Sequence, residues 1–391
     1  IVFGDWSSDV CSSDLATLAE RAKGNDVKLQ FEYNIVISPG ELSNGIIIGD
    51  SGSGKSNAIK TIIIAIAHHN KYSTQQKIAL LVFDKDGEYY GMFSHLENRS
   101  EYKGVVKCIR AGQVNHETFK IEEIPLAVLA NEYDGELIRL NKYLVRNGVI
   151  TNPNANRMNI ELLNYIIDHD NIQEEGKKKE LTKAGFNQQQ LDALHRRVDQ
   201  NIKKIEQFTA ITKVSDIKYE ETPNNVSMYF TLKNAQEHGQ IVIIDISNLE
   251  HPDAYPLLAE IVQNKLQYMR EKWFKEELQA NGGDQVSFTR KAPMLLRINE
   301  EATNLFATMD SSNALTEHIR AATAARKFNM GTLYAFQTLQ GIQSGIQLIL
   351  SQLGGFTLMF ALTMERNRDL ALKNVNIRSE ERRVGKECRS R

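Results

Sequence analysis

Gly49-Asp50-Ser51-Gly52-Ser53-Gly54-Lys55-Ser56 is the stretch whose reading decides the fold. Gly49, Gly54, Lys55 and Ser56 stand in the register of a phosphate-binding loop. Upstream, Gly45-Ile46-Ile47-Ile48 is a short apolar run ending at the first glycine, as a buried parallel strand does. Downstream, Ser56 to Asn70 carries Ile59, Ile62, Ile63 and Ile66 at helical spacing. Strand, glycine loop, helix is the order that phosphate binding requires. The glycines let the backbone turn tightly, so that successive N–H groups point at phosphate oxygens. The helix N-terminus adds partial positive charge at the same place. Lys55 supplies a full positive charge for the β- and γ-phosphates, and the Ser56 hydroxyl suits Mg²⁺. Gly49, Asp50, Ser51, Gly52, Ser53, Gly54, Lys55 and Ser56, with Asn57 behind them, form the candidate ATP-binding set. A nucleotide loop does not say what the energy drives.

Working outward, several apolar runs end in polar residues. Ile78 to Phe83 leads into Asp84, Gln240 to Ile244 into Asp245, and Met294 to Ile298 into Asn299-Glu300-Glu301. Gly331 to Phe336 leads into Gln337, and Phe356 to Leu362 is a further strand candidate. Helical patterns such as Tyr255 to Lys275 and Asn313 to Phe328 lie between them. This alternation predicts an α/β fold, a mainly parallel sheet with helices on both faces. Ligand chemistry in such sheets gathers at the carboxyl ends of the strands, where these polar residues sit. From about Ile121 to Leu232 the rhythm breaks into charged, mostly helical sequence, read as a helical insertion. Its Lys177-Lys178-Lys179 run and its Arg196-Arg197 and Lys203-Lys204 pairs read as a solvated helix face, with DNA contact as the less frequent use.

An ATP-hydrolysing site needs a carboxylate near Mg²⁺ and a group that activates water. Asp84, Asp245 and Glu300 are the strand-end candidates, and only Glu300 is followed by a second acid, Glu301. Adjacent residues at a strand end can divide the work, so Glu300 is assigned to Mg²⁺ and Glu301 to water. The competing reading is two acids opening a helix, where they suit its dipole. Arg297 and Asn299 are unusual residues for a buried strand. Gln337 is placed to sense the γ-phosphate or position water, or is a loop amide without a catalytic role. Arg320, Arg326 and Lys327 precede the Gln337 strand. An arginine there either projects into a neighbour's site as a finger or caps a helix end.

Hydrophobic content of 41% and charged content of 25% fit a soluble globular protein. No apolar run is long enough to span a bilayer; Thr61 to Ala67 stops at His68-His69. A cytoplasmic protein with reduced thiols and no membrane insertion is the expectation. The net charge of −2 argues against a general basic coat, so any DNA contact is local, in a ring pore or on one face. Asp5 to Leu15 and Arg378 to Arg391 resemble translated sequencing-library adapters. The natural stretch is therefore expected to run from about Ala16 to Ile377, truncated at both ends. The expected organisation is an adapter-like tail over 1–15, a first core segment over 16–120, the insertion over 121–232, a second core segment over 233–377, and an adapter-like tail over 378–391. Of Cys11, Cys108 and Cys388, only Cys108 lies outside the tails, which excludes a disulfide framework or a cysteine zinc site.

The ordered motifs resemble the HerA/FtsK superfamily of ring ATPases, most of all its HerA branch. Asp84-Lys85-Asp86-Gly87-Glu88-Tyr89 is similar to the family's Asp-x-x-Gly-Glu-Tyr. Glu300-Glu301-Ala302 resembles its acid-Glu-Ala-His segment, Ala325-Arg326-Lys327-Phe328 its Gly-Arg-Lys-Phe turn, and Phe336-Gln337 its sensor-glutamine strand. Thr303 stands where the family usually has histidine, and Ala325 where it usually has glycine. The resemblance covers about Ile35 to Ala371 and implies a RecA-like P-loop NTPase core. It further implies a homo-hexameric ring, translocation along double-stranded DNA, Glu301 promoting attack of water on ATP, Arg326 reaching a neighbour's site, and work with a nuclease partner. Two alternatives share these motifs or part of them. One is a conjugation- or secretion-type ATPase of the same superfamily, and the other a non-catalytic nucleotide-gated assembly module.

Overall fold

The computed structural model describes residues 2–3, 35–36, 44–72, 76–111, 118–120, 126–130, 133–153, 160–205, 225–249, 254–283, 288, 291–303, 327–338 and 356–359. The adapter-like segments Asp5 to Leu15 and Arg378 to Arg391 lie outside the described residues, as do Arg320, Ala325 and Arg326 and nearly all of the helical pattern Asn313 to Phe328.

Seven strands form the main sheet. In chain order they are β1 (Asn44–Ile48), β2 (Ile78–Asp84), β3 (Val106–Arg110), β4 (Ile241–Asp245), β5 (Met294–Asn299), β6 (Met330–Phe336) and β7 (Phe356–Met359). Their spatial order is β7-β1-β6-β5-β2-β4-β3. Every pairing within the sheet is parallel. All carboxyl ends therefore meet at one edge, and Gly49, Asp84, Asp245, Glu300 and Gln337 fall there together. β1, β2, β4, β5 and β6 are buried along their whole length, which explains their near-continuous apolar sequences.

The helices are α1 (Lys55–Tyr72), α2 (Glu88–Glu97), α3 (Leu126–Ala130), α4 (Asp134–Arg146), α5 (Ile160–Ile167), α6 (His169–Gln173), α7 (Glu175–Lys183), α8 (Gln188–Ile205), α9 (Met228–His238) and α10 (Ala254–Ala280). The two-residue side-chain period of the strands splits the core into two layers. Leu80 and Val82 of β2 pack with Ile59, Ile62, Ile63 and Ile66 of α1 and with Tyr89 and Phe93 of α2. Leu81 and Phe83 point the other way, into a layer with Leu258 and Val262 of α10 that continues into Leu137, Leu140, Leu191 and Leu194 of α4 and α8. Two small ladders stand apart from the main sheet. Val2–Phe3 pairs antiparallel with Ile35–Val36, and Thr118–Lys120 pairs parallel with Asn225–Ser227.

The expected sheet and its flanking helices are thus present. β3 is a strand that periodicity does not expose, because Lys107 and Arg110 interrupt its apolar pattern. It lies at the sheet edge, and Glu97 of α2 holds both the Lys107 ammonium, at 3.0 Å, and the Cys108 N–H, at 2.9 Å. The buried Arg297 reaches across the β5–β6 pairing, donating from Nη2 to Thr332 Oγ1 at 2.6 Å. Asn70, near the end of α1, accepts from the Ile78 N–H at 2.8 Å and donates to the Ile78 and Gly239 carbonyls at 2.7 Å each. One buried amide thereby joins α1, the start of β2 and the end of α9.

Candidate functional site

The loop between β1 and α1 is shaped by two left-handed glycines, Gly52 at φ 73° and Gly54 at φ 105°. The Gly49 N–H donates to the Phe336 carbonyl at 3.2 Å, tying the loop's start to the end of β6. The Lys55 ammonium curls back over the loop and donates to the carbonyls of Gly49, at 2.6 Å, and Asp50, at 2.8 Å. A phosphate oxygen above the loop would compete for these donors. Burial pushes the Lys55 pKa below its ordinary value, while Glu301, Asp50 and Glu300 oppose that shift.

Beside the loop lies a cavity of about 310 Å³. Its lining includes loop residues together with Lys60, Asp86, Glu88, Glu300, Glu301 and Gln337. Of the three strand-end carboxylates expected to compete, Glu300 is the one in this lining. Asp84 Oδ2 instead accepts the Tyr90 N–H at 2.7 Å at the start of α2. Asp245 accepts from the Ser247 N–H and hydroxyl, at 2.9 and 2.6 Å, and pairs with Arg110 at 3.4 Å.

Glu300 is held from several sides. Its Oε1 accepts the Tyr89 hydroxyl at 2.7 Å and lies 3.5 Å from Ser56 Oγ, and its backbone carbonyl accepts the Tyr255 hydroxyl at 3.0 Å. Its Oε2 is buried and has no partner among the described residues. Burial raises the Glu300 pKa to about 7; the Tyr89 bond lowers it, and the charges of Asp84, Asp86 and Glu301 raise it further.

Glu301 adopts φ 51°, the left-handed region that side chains other than glycine's seldom enter. Such backbone strain concentrates where a side chain must be aimed. Glu301 Oε1 accepts the Gln337 side-chain amide, and Lys85 lies 3.8 Å from Oε2. Gln337 reaches Glu301 because β6 lies between β1 and β5. Thr303 donates its hydroxyl to the Thr338 carbonyl at 2.8 Å, which adds a second link between these two strand ends.

The charged lining holds two lysines, Lys55 and Lys60, against four carboxylates, Asp86, Glu88, Glu300 and Glu301. A bare polyphosphate would meet a net negative wall. A divalent cation removes the conflict, and the orphaned Oε2 of Glu300, on a carboxylate whose other oxygen lies 3.5 Å from the Ser56 hydroxyl, is the kind of oxygen donor that Mg²⁺ accepts, directly or through water. The residues present therefore fit Mg²⁺.

The structure thus brings Gly49 to Asn57, Glu300, Glu301 and Gln337 to one site; Arg326 lies outside the described residues. Sequence reasoning missed the parts played by Lys60, Lys85, Tyr89 and Tyr255. Only Tyr89 had a signal, as the last residue of the Asp84–Tyr89 motif.

A parallel sheet with a strand–glycine loop–helix unit and strand-end carboxylates at one edge defines a P-loop NTPase of RecA-like type. Residues 44–265 match the family model described as "Helicase HerA, central domain". The chain belongs to that family, and its site is that of a HerA-type P-loop ATPase domain. Compared by sequence, it has no match among curated proteins. Among solved structures it is similar to VirB4 of Thermoanaerobacter pseudethanolicus, at 13% identity and a TM-score of 0.47, over 90% of this chain and 87% of that one. It is also similar to the bacterial conjugative coupling protein TrwBdeltaN70 in complex with sulphate, at 12% identity and a TM-score of 0.41, over 86% of this chain and 69% of that one. The fold assignment rests on the sheet order and the site. Among the described residues, no helix is long and apolar enough to cross a membrane.

Proposed function

We propose that this chain is the ATP-hydrolysing motor core of a HerA-type double-stranded DNA translocase or helicase. The observation that carries the reading is the meeting of Lys55, Ser56, Glu300 and the Glu301–Gln337 pair around one cavity. Gly49 to Asn57 cradle the phosphates of ATP, and Lys55 exchanges its loop carbonyls for phosphate oxygens. Ser56 and Glu300 would hold Mg²⁺, which when bound neutralises charge on the phosphates. Glu301 accepts a proton from the attacking water, and Gln337 keeps the Glu301 carboxylate oriented toward it. The buried Tyr255 bond at the Glu300 carbonyl fixes the turn that carries both acids.

Family membership supports the assembly proposed next, and the sequence alone supports the segment bounds. The core comprises residues 16–120 and 233–377, with 121–232 as a helical insertion and adapter-like tails over 1–15 and 378–391. Copies assemble head to tail in a homo-hexameric ring in the cytoplasm, with duplex DNA in the pore and a nuclease partner in DNA end processing or defence. Arg326 of one copy reaches the neighbouring site, which places each site at a subunit boundary.

The test is displacement of a third strand from duplex DNA by the complete natural protein. ATP-dependent displacement that Lys55→Ala abolishes supports the motor reading. ATP turnover without displacement on any duplex would favour the conjugation- or secretion-type reading, and absence of turnover the assembly-module reading.

A further inference from the structure

The Asp84–Tyr89 motif runs from β2 into α2, and the nucleotide loop leaves it without a role. Its residues nevertheless touch the site, and the Tyr89 hydroxyl meets both Glu300 and the loop's Ser56. Asp84 anchors the first turn of α2 through the Tyr90 N–H at 2.7 Å. From that turn, two adjacent side chains reach different walls of the cavity. Glu88 pairs with Lys60 of α1 at 2.9 Å, in partial contact with solvent. Tyr89 is completely buried and donates its hydroxyl to Glu300 Oε1 at 2.7 Å. The pairing of Phe83 with Asn299 sets β2 beside β5, which puts the start of α2 within reach of Glu300.

The geometry of Glu300 makes the Tyr89 bond more than a satisfied core hydroxyl. A carboxylate at the end of a long side chain has several rotamers, and only some present an oxygen to Ser56. Tyr89 occupies Oε1 and fixes the rotation of the carboxylate. Oε2 is left buried, without a partner among the described residues, on a group that lines the cavity beside Ser56. Residues that hold a metal's ligand in this way commonly set its affinity, and their loss costs about 10–100-fold.

We infer that Tyr89 is a positioning residue for Glu300, orienting its carboxylate so that the site takes up Mg²⁺ together with ATP. The inference rests on the reading of Glu300 as the Mg²⁺ carboxylate, and the experiment separates the two. A fluorescent ATP analogue is titrated into the complete protein, first with a chelator and then over a series of Mg²⁺ concentrations. Tyr89→Phe keeps the ring in the core and removes the hydroxyl that meets Glu300 and Ser56. It leaves nucleotide affinity in chelator unchanged and raises the Mg²⁺ concentration for half-maximal enhancement by about tenfold or more. Glu300→Gln loses most of the enhancement. In the Glu300→Gln background, Tyr89→Phe adds nothing further, whereas a merely structural tyrosine would give effects that add. A wild-type Mg²⁺ response in Tyr89→Phe, with the response lost in Glu300→Gln, overturns the inference alone. A wild-type response in Glu300→Gln overturns the Mg²⁺ reading of Glu300 and the inference with it. Equal weakening in chelator and in Mg²⁺, or a Tyr89→Phe protein that does not fold, marks the hydroxyl as structural and also overturns the inference.

Discussion

Replacing Glu301 by glutamine separates binding from chemistry at this site. The side chain keeps its length and retains a carbonyl oxygen to accept the Gln337 amide. What the substitution removes is the ion pair with Lys85, which is 3.8 Å long, with the Lys85 side chain 38% exposed. Such a pair contributes about 0–1 kcal/mol, so folding stability should shift by no more than about 1 kcal/mol. The φ of 51° is equally unfavourable for glutamate and glutamine and cancels in the comparison. Nucleotide affinity should hold or increase, because one negative charge leaves a wall that carries four carboxylates against two lysines. Turnover should behave differently. A positioned general base supplies about 10²–10⁴-fold, which corresponds to about 3–5 kcal/mol of barrier. Phosphate release measured at saturating ATP, with binding followed in parallel by a fluorescent analogue, gives both quantities on one preparation. We expect Glu301→Gln to bind like the parent and to turn over at least about 100-fold more slowly. Turnover within about threefold of the parent would refute the assignment of water activation to Glu301, because no proton acceptor of that role would have been removed.

Lys55→Ala should lose nucleotide binding by about 10–100-fold, because charge-assisted bonds to phosphate disappear; equilibrium binding of the same analogue measures it. Asn70→Ala removes three buried hydrogen bonds at about 1 kcal/mol each, so a urea midpoint should fall by the equivalent of about 3 kcal/mol with an unchanged slope. Glu300 gives a pH signature in the metal- and nucleotide-free protein. Its pKa is raised to about 7 by burial, so the folded state holds a proton that the unfolded state has released between about pH 4.5 and 7. Stability from this group is full below about 4.5 and declines by about 3 kcal/mol as pH rises from there through 7. Glu300→Gln should flatten that decline in thermal unfolding series, and added Mg²⁺ with ATP should oppose it in the parent.

Much of this fold is legible because buried parallel strands write themselves as β-branched runs. Ile46-Ile47-Ile48 and Ile241 to Ile244 are plain in the sequence for that reason. β3 is not, since an edge strand tolerates Lys107 and Arg110 and Glu97 supplies partners from α2. The loop residues, Glu300, Glu301 and Gln337 are legible because each sits where an apolar run stops. Their mutual contacts are not. Chain order separates Glu301 from Gln337 by a long stretch, and only the insertion of β6 between β1 and β5 brings them together. Tyr89 and Tyr255 act through tertiary reach, and a tyrosine in an amphipathic helix reads as core until its hydroxyl's partner is seen.

The most direct test of the motor account is ATP turnover by the complete natural protein with and without duplex DNA, across a series of salt concentrations. The account predicts turnover that duplex DNA stimulates, with stimulation fading as salt screens the phosphate contacts and absent in Glu301→Gln. Turnover that stays near zero under every condition, or that ignores duplex DNA at low salt, would contradict it.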